Sequence, residues 1–331
     1  MTKRECVLSA LAHKKTYPVP WQLDMGDEIA ARLGRDLGAG FDAGSHLSQE
    51  RNETFTALCG DSFEDMFGVV WNKEQEGDFG IVVDYILQEP EFGDYKFPVP
   101  DEALIREKCA RLETHKDTFR MYIIGFSLFE RAWTLRSMEE LLVDFLVNQE
   151  FVHELLERIT LYNLAVVDIA AQYDIDCIFF GDDWGQQKGL IMGPDLWREF
   201  IKPYLRRMYA RVKSHGMYVA QHSCGDVSDI FPDLVELGMD IYNTFQPEVY
   251  DVEQMKALYG DKVTFYGGVS TQRLLPEGTP EEVEEETRRM LRLMGNGGGY
   301  ICAPTHAMPN DIPTENVLAF LRAVQNQSEA H

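Results

Sequence analysis

From Cys177 to the C-terminal region, short apolar runs alternate with longer amphipathic stretches at nearly regular spacing. The apolar runs predict strands at 177–180, 217–221, 241–245, 263–266 and 300–303. Helical periodicity predicts helices between and after them, at 194–215, 230–237, 252–259, 280–294 and 313–324. Strands that alternate with helices in this way form parallel βαβ units, so the chain predicts an α/β fold with a parallel sheet.

The N-terminal half adds further units of the same kind. Strands are predicted at 18–24 and 120–125, an aromatic loop at 126–136, and helices at 101–113, 137–147 and 150–173. Seven or eight βα units in 331 residues indicate one (β/α)8 TIM barrel spanning 1–331. The segment 34–100 is rich in Gly, Asp and aromatic residues with only short β-like runs, which predicts an insertion of loops and short strands that covers one end of the barrel.

Charge and composition exclude several classes of protein. The formal net charge of −24 argues against binding to nucleic acid or to an anionic membrane surface. Apolar runs stay shorter than the roughly 20 residues of a membrane span. Six scattered cysteines and an N-terminal Met-Thr-Lys-Arg-Glu without an apolar core predict a reduced, cytoplasmic protein. A glycine fingerprint for a dinucleotide or a P-loop is missing after the first predicted strand.

Polar residues recur where the predicted strands end. In a TIM barrel these C-terminal strand ends form one rim, which carries the chemistry. The rim residues predicted in this way are Asp24, 126–130, Asp182, Asp183, His222, Cys224, Asn243, Gln246, Gly267, Gly268, Thr305 and His306.

The most informative of these is His222-Ser223-Cys224, directly after a predicted strand. A period of two places His222 and Cys224 on the same side, and imidazole with thiolate is a ligand pair that zinc prefers. The alternative is a tight turn whose cysteine is merely packed. A third ligand is predicted at His306, in the loop after the last strand, with Cys302 as the alternative inside that strand and Asp182 or Glu248 as further ones.

Asp182 and Asp183 follow the strand at 177–180. Adjacent residues of an extended segment point in opposite directions, so one carboxylate is expected to face the pocket while the other caps or orients a neighbour. A simple turn remains the alternative for this loop. Aromatic residues near it, including Phe126 and Trp184, are candidates for a pocket wall, although aromatic residues of a barrel are more often part of its core.

Several motifs together resemble the uroporphyrinogen decarboxylase superfamily. They are 125–135, Gly-Asp-Asp-Trp-Gly at 181–185, His-Ser-Cys-Gly at 222–225, 243–247, Tyr-Gly-Gly at 266–268, 297–306 and Pro-Thr-Glu-Asn at 313–316. The resemblance covers most of the chain and implies a single-domain TIM barrel, with a homodimer as a further expectation from the superfamily.

Two branches of that superfamily differ in their motifs. The decarboxylases carry an arginine-rich Arg-Gln-Ala-Gly-Arg-Tyr-Leu segment that grips the carboxylates of the porphyrinogen, whereas this chain has no arginine at 21–27. Each buried carboxylate left without such a partner costs roughly 2 to 5 kcal/mol, so porphyrinogen decarboxylation is disfavoured. His222-Ser223-Cys224 is instead similar to the His-X-Cys of the zinc-dependent corrinoid methyltransferases. Alignment on Pro313 and on 315–316 puts His306 where that branch has a distal cysteine.

The resemblance implies a zinc-dependent transfer of a methyl group between a small O-, N- or S-methyl compound and a corrinoid (cobalamin) carried by a partner protein. His222, Cys224 and His306 would bind Zn²⁺, and a histidine in place of a thiolate makes the metal a stronger Lewis acid. Two alternatives are a metal-free carboxy-lyase and a non-catalytic barrel that binds a corrinoid protein. The expected catalytic residues are Asp24, Asp182 and Asp183, and the expected substrate contacts are Phe126, Trp184, Asn243 and Gln246.

Overall fold

A curled parallel sheet forms the centre of the molecule. The structure, a computed structural model, describes residues 1–24, 27–37, 44–73 and 80–327. The sheet has seven strands in the order β1-β6-β7-β10-β11-β12-β13, and every neighbouring pair is parallel. The strands of the described chain are β1 Leu47–Arg51, β2 Phe55–Ala57, β3 Ser62–Asp65, β4 Val70–Asn72, β5 Ile81–Asp84, β6 Phe119–Ile124, β7 Cys177–Gly181, β8 Gly185–Gln186, β9 Gly189–Leu190, β10 Tyr218–His222, β11 Ile241–Phe245, β12 Thr264–Val269 and β13 Tyr300–Pro304.

The segment around Trp21 lies between the two edges of this sheet. Trp21 forms a parallel bridge with Cys302 of β13, and its carbonyl accepts a hydrogen bond from the backbone N–H of His46, one residue before β1. The strand predicted at 18–24 is therefore reduced to a single bridge. Pro18 and Pro20 explain this difference because neither has an N–H to donate to a ladder.

Helices connect the strands and surround the sheet, as the alternating pattern predicts for a TIM barrel. They are α1 Lys3–Leu11, α2 Asp27–Leu37, α3 Glu102–Glu113, α4 Phe129–Arg136, α5 Met138–Val147, α6 Gln149–Ala170, α7 Pro194–Leu196, a π-helical turn Trp197–Ile201, α8 Lys202–Ser214, a 3₁₀ turn Ser228–Ile230, α9 Phe231–Leu237, α10 Val252–Tyr259, α11 Leu274–Glu277, α12 Pro280–Gly295 and α13 Thr314–Gln325. Among the described residues, none of these helices has the length and apolar character needed to cross a membrane.

Helix α4 was expected to be a loop. Its first turn is stabilised from outside: the carboxylate of Asp182 accepts hydrogen bonds from the backbone N–H groups of Leu128, Phe129 and Glu130. This carboxylate satisfies donors that a helix start leaves unpaired, and a negative charge there also favours the helix dipole. The acceptor lies more than 50 residues further along the chain, so the local sequence of 126–136 gives no sign of it.

The period of two along the strands separates an inner from an outer layer of core. Ile301 and Ala303 pack inside the barrel with residues such as Phe179 and Ala220, whereas Tyr300 and Cys302 of the same strand pack in the larger cluster that includes the helices. This alternation decides which side chains of the rim can reach the barrel mouth.

A second, smaller sheet lies within the segment 34–100. It is antiparallel, with the order β2-β3-β4-β5, and it is tied to α4 by the buried ion pair of Asp65 with Arg131, whose closest N···O distance is 2.5 Å. The predicted short strands of this segment are thus present. The range 34–100 is too wide for an insertion, however, because it includes β1, which pairs with β6 in the barrel.

Candidate metal centre

Three side chains that can bind a metal converge at the C-terminal rim of the barrel. The ligand atoms of His222, Cys224 and His306 all lie within 4.8 Å of one another. His222 is the last residue of β10 and shares its phase with the inward-facing Ala220, and His306 follows β13 by two residues. These are the three ligands that we predicted from the sequence, and the fold brings them together.

The spacing of two of these atoms fits zinc. His222 Nε2 and Cys224 Sγ are 3.5 Å apart. Tetrahedral zinc with Zn–N and Zn–S bonds of about 2.1 and 2.3 Å requires a separation of about 3.6 Å between those two atoms. The third ligand, His306, is open to solvent on the pocket side, and its ring centroid lies 5.6 Å from that of His222. The donor set therefore suits a zinc site with an open position.

Asn243 determines which nitrogen of His222 is free. Its Oδ1 lies 2.6 Å from His222 Nδ1, while its Nδ2 donates to the carbonyl of Tyr266 at 3.0 Å. With its amide group oriented by Tyr266, Asn243 presents a carbonyl oxygen to the imidazole, so Nδ1 carries the proton and Nε2 keeps its lone pair. Asn243 lines the pocket but acts on the candidate ligand, where we had expected a substrate contact.

Two loops fix the position of Cys224. The backbone N–H of Cys224 donates to Asp183 Oδ1 at 2.7 Å, and the backbone N–H of Gly225 donates to Gln246 Oε1 at 2.8 Å. Gly185 and Gly225 lie against each other so closely that a Cβ on either would come within 2.6 Å of backbone atoms of the other loop. Glycine is therefore required for the approach of Asp183 to Cys224. Gln246, expected to contact substrate, instead holds this loop.

The surroundings shift the pKa values of two of the three candidate ligands. Burial raises the pKa of the Cys224 thiol, and the nearby Asp183 and Glu130 raise it further. Desolvation lowers the pKa of His306, and the neighbouring His222 adds to this effect. A metal ligand must be a thiolate or a neutral imidazole, so binding of a cation here has to displace the proton of Cys224, whereas the lowered pKa of His306 favours its neutral form.

Cys302 does not belong to this cluster. It is fully buried on the outer face of β13, where its neighbours are helix-facing residues such as Tyr300, and desolvation raises the pKa of its thiol to about 12. The alternative third ligand is thus wrong for a physical reason: strand alternation turns this side chain away from the barrel mouth.

The two neighbouring aspartates have different surroundings, as the alternation predicted. Asp182 is fully buried and, besides capping α4, accepts a hydrogen bond from Trp184 Nε1 at 2.6 Å. Burial raises its pKa to about 6, although these donors act in the opposite direction. Asp183 lines the pocket. The expectation of a catalytic Asp182 is therefore corrected to a structural role.

Trp184 is likewise outside the pocket. It is fully buried and packs edge-to-face on Trp197, with ring centroids 5.4 Å apart. Its ring cannot contact a substrate in this position, so the predicted substrate contact is wrong. Phe126 and Asp24, in contrast, do line the pocket, as predicted.

The pocket above the metal-ligand cluster has a volume of about 430 Å³. Its wall contains several residues that we did not predict as site residues from the sequence, because they lie in the segment 34–100 or inside the strands. These residues are Gln49, Arg51, Glu53, Phe55, Trp71, Phe179 and Tyr266. Glu130, which we predicted within the rim segment 126–130, and Trp133 of the predicted aromatic loop also line the pocket. If the pairing of β1 with β6 had been predicted, Gln49 and Arg51 could have been predicted as well, because strand alternation places their side chains at the barrel mouth.

The pocket contains more acidic than basic groups. Asp24, Glu53, Glu130 and Asp183 line it, and Arg51, which is 3.9 Å from Asp24, is the one arginine or lysine among the described residues of its wall. Burial raises the pKa of Glu53. Burial also raises the pKa of Glu130, and the nearby Asp183 and Asp182 raise it further. The pocket therefore favours carboxyl groups that keep a proton, and it disfavours a ligand with many negative charges.

Comparison with known proteins gives a family. The family model described as uroporphyrinogen decarboxylase (URO-D) matches residues 97–327. A methylated-thiol–coenzyme M methyltransferase of Methanosarcina mazei is 25% identical over 174 residues, which are 53% of this chain and 44% of that protein. A uroporphyrinogen decarboxylase of Coxiella burnetii is 27% identical over 185 residues, which are 53% of this chain and 47% of that protein. The matched region thus spans less than half the length of each curated relative.

A solved structure has the same fold along the whole chain. A methyltransferase from Methanosarcina mazei superposes with a TM-score of 0.74 over 98% of both chains, at 16% sequence identity. Fold and site together define a TIM barrel with a His-Cys-His cluster at its C-terminal rim. The family match covers more than two thirds of the residues, and the chain belongs to the uroporphyrinogen decarboxylase family.

Proposed function

We propose that this protein is a zinc-dependent methyltransferase that moves a methyl group between a small O-, N- or S-methyl compound and the cobalt of a separate corrinoid protein. The observation that carries the proposal is the convergence of His222, Cys224 and His306, of which His222 and His306 line the pocket. The methyltransferases among the relatives support the same reaction class. We propose the homodimer only as an expectation from the family.

The chemistry supplied by a bound zinc ion is Lewis-acid polarisation of the heteroatom that loses or gains the methyl group. Asn243 keeps His222 in the tautomer that can bind the ion, and Asp183 and Gln246 hold the Cys224 loop. The aromatic wall, which includes Phe126, excludes water from the reacting atoms.

The proposed methyl transfer also requires one proton for the heteroatom that loses the methyl group. The methyl group leaves its heteroatom without the bonding electron pair and is bound by cobalt(I), which becomes methyl-cobalt(III), and the heteroatom then takes up one proton. Glu130 lines the pocket as the proton donor, because burial and, after it, the charges of Asp183 and Asp182 raise its pKa well above its usual range. Asp24, held near Arg51, is placed to orient the substrate.

The charge of the pocket argues against the main alternative function, which is decarboxylation of a porphyrinogen. Some relatives are uroporphyrinogen decarboxylases, which gives decarboxylation a basis in sequence similarity. Among the described residues of this pocket, a porphyrinogen with many carboxylates would meet four acidic side chains and one arginine, Arg51. Without guanidinium partners those charges stay uncompensated, so methyl transfer fits the lining better.

The proposal is tested by incubating zinc-loaded protein with cob(I)alamin and a panel of methyl ethers, methylamines and methyl thioethers. We expect the visible spectrum of cob(I)alamin to be replaced by that of methylcob(III)alamin for one class of donor, and not with His222→Ala or Cys224→Ala. Purified protein that binds no zinc at stoichiometric level, or carbon dioxide release from a carboxylic acid that is indifferent to chelators, would overturn it.

A further inference from the structure

A fourth potential ligand lies beside the three that we predicted. Asp183 Oδ1 is 3.4 Å from His222 Nε2, the nitrogen that the Asn243 contact leaves free. The same oxygen accepts the backbone N–H of Cys224 at 2.7 Å. Asp183 is therefore fixed at the edge of the cluster by a hydrogen bond to the backbone of another candidate ligand.

The separation of Asp183 Oδ1 from His222 Nε2 is too long for a good hydrogen bond, which for N–H···O lies between about 2.7 and 3.2 Å. It does equal the separation of two ligand atoms on tetrahedral zinc, which is about 3.4 Å for Zn–N and Zn–O bonds of about 2.1 Å. The His222–Cys224 separation of 3.5 Å is also close to its tetrahedral value. Two separations measured from the same nitrogen thus each have the length of an edge of the zinc tetrahedron.

Neighbouring elements of the fold fix the loop that carries the Asp183 carboxylate. Asp182 is tied to the first turn of α4 and to Trp184, which anchors the loop that carries Asp183. On the other side, the close contact of Gly185 with Gly225 brings that loop against the Cys224 loop. Asp183 itself is one-third exposed and faces the pocket, so its side chain has room to turn away.

From this geometry we propose that Asp183 is the exchangeable fourth ligand of the metal site. The carboxylate occupies the fourth position when the pocket is empty, and the heteroatom of the substrate displaces it on binding. No bond of the substrate breaks in this exchange: one metal–oxygen bond is replaced by one metal–heteroatom bond. The inference rests on the proposed zinc site and assigns a role within it that the three-ligand cluster leaves open.

The variant Asp183→Asn tests the role directly. The amide oxygen can still accept the N–H of Cys224, which preserves the loop, but a neutral amide is a much poorer zinc ligand than a carboxylate. Asp226→Asn is the matched control, because it removes one negative charge from the same region, where Asp226 only accepts the N–H of Ser228.

We expect two affinities to change in opposite directions in Asp183→Asn: the affinity for zinc falls, and the affinity of the cobalt(II) protein for imidazole rises. Competition with a chromophoric chelator should show zinc affinity at least 10-fold lower in Asp183→Asn, and within 2-fold of wild type in Asp226→Asn. In the cobalt(II)-substituted proteins, neutral imidazole should bind the metal several-fold more tightly in Asp183→Asn, since no carboxylate has to be displaced. A purely structural role of Asp183 would weaken both kinds of binding.

The inference is overturned if Asp183→Asn binds zinc as tightly as Asp226→Asn, or if its cobalt(II) form binds imidazole no better than wild type. Its failure is distinguishable from failure of the proposed function. Wild-type protein that binds no zinc contradicts the function itself, whereas tight zinc binding that is indifferent to Asp183→Asn contradicts only the fourth ligand.

Discussion

His222 Nδ1 lies 2.6 Å from Asn243 Oδ1, and this contact joins the end of β10 to the middle of the neighbouring barrel strand β11. A hydrogen-bond acceptor on the ring nitrogen that does not bind the metal orients a metal-binding imidazole and selects its tautomer. Removing it frees the ring of His222 to rotate and to protonate the wrong nitrogen. We therefore expect Asn243→Ala to lower zinc affinity about 10- to 100-fold.

Zinc affinity of Asn243→Ala is measured by competition with a chelator of known affinity. Asn243→Asp serves as the control, because it keeps an oxygen acceptor for His222 Nδ1 while losing the donor to Tyr266. Equal zinc affinities of the alanine and aspartate variants would contradict the assigned role.

His306 and Cys302 give a second prediction, because they are only four positions apart in the sequence and their side chains lie in different layers of the barrel. His306→Ala should reduce bound zinc well below one equivalent, since it removes one of three ligands. Cys302→Ala should leave one equivalent bound and lower the free energy of unfolding by on the order of 1 kcal/mol, because it removes only a packed sulfur atom. Metal analysis and urea denaturation of both variants check this. Loss of zinc in Cys302→Ala would reverse the ligand assignment.

The barrel and the convergence of the candidate metal ligands could be predicted because their signals come from local patterns and from a general rule of the fold. Apolar runs alternate with helical stretches, and a period of two after one strand places His222 and Cys224 together. The rule that strand ends share a rim then brings in His306 from a distant part of the chain. Neither step requires knowledge of how a particular side chain is paired.

The predictions failed where a partner distant in sequence decides the direction of a side chain. Asp182, Trp184 and Gln246 all follow strand ends, yet each turns to satisfy a buried group rather than the pocket. Glu130 was predicted only as part of the rim segment 126–130, without a role of its own, because α4 looked like a loop until its capping carboxylate was known. Cys302 could have been excluded by alternation alone, once the inward phase of Ala303 was known.

Asp182 provides a third prediction, which concerns stability. Asp182→Asn replaces a carboxylate that accepts four hydrogen bonds with an amide whose NH₂ group faces donors at the start of α4. Leaving buried donors unpaired costs about 1 to 3 kcal/mol, so we expect the free energy of unfolding to fall by that amount.

Asp101→Asn is a matched control for this variant, because Asp101 caps α3 from an exposed position and its replacement by another good cap residue costs little. Urea denaturation measures both. The result that would contradict the structural role is an Asp182→Asn protein of unchanged stability that no longer binds zinc.

His46 gives the final prediction, on the dependence of stability on pH. It is buried beside Trp21, whose N–H lies 3.4 Å from its Nδ1, and desolvation, followed by the charge of Lys3, lowers its pKa from 6.5 to about 4. Because the folded pKa is lower than the unfolded one, the unfolded chain binds more protons between pH 6.5 and pH 4. Stability from this residue is therefore fully present above pH 6.5 and is lost as the pH falls to about 4, by about 3 kcal/mol in total.

The measurement is the difference in free energy of unfolding between wild type and His46→Asn from pH 4 to pH 7. Asparagine keeps an acceptor near the N–H of Trp21 but does not titrate, so the difference should shift by about 3 kcal/mol in favour of wild type as the pH rises. His115→Asn, at an exposed histidine, is the matched control for any general effect of replacing histidine by asparagine. If the difference in free energy of unfolding between wild type and His46→Asn were the same at every pH, the imidazole of His46 would be protonated without cost in the folded protein. Its burial beside Trp21 argues against this outcome.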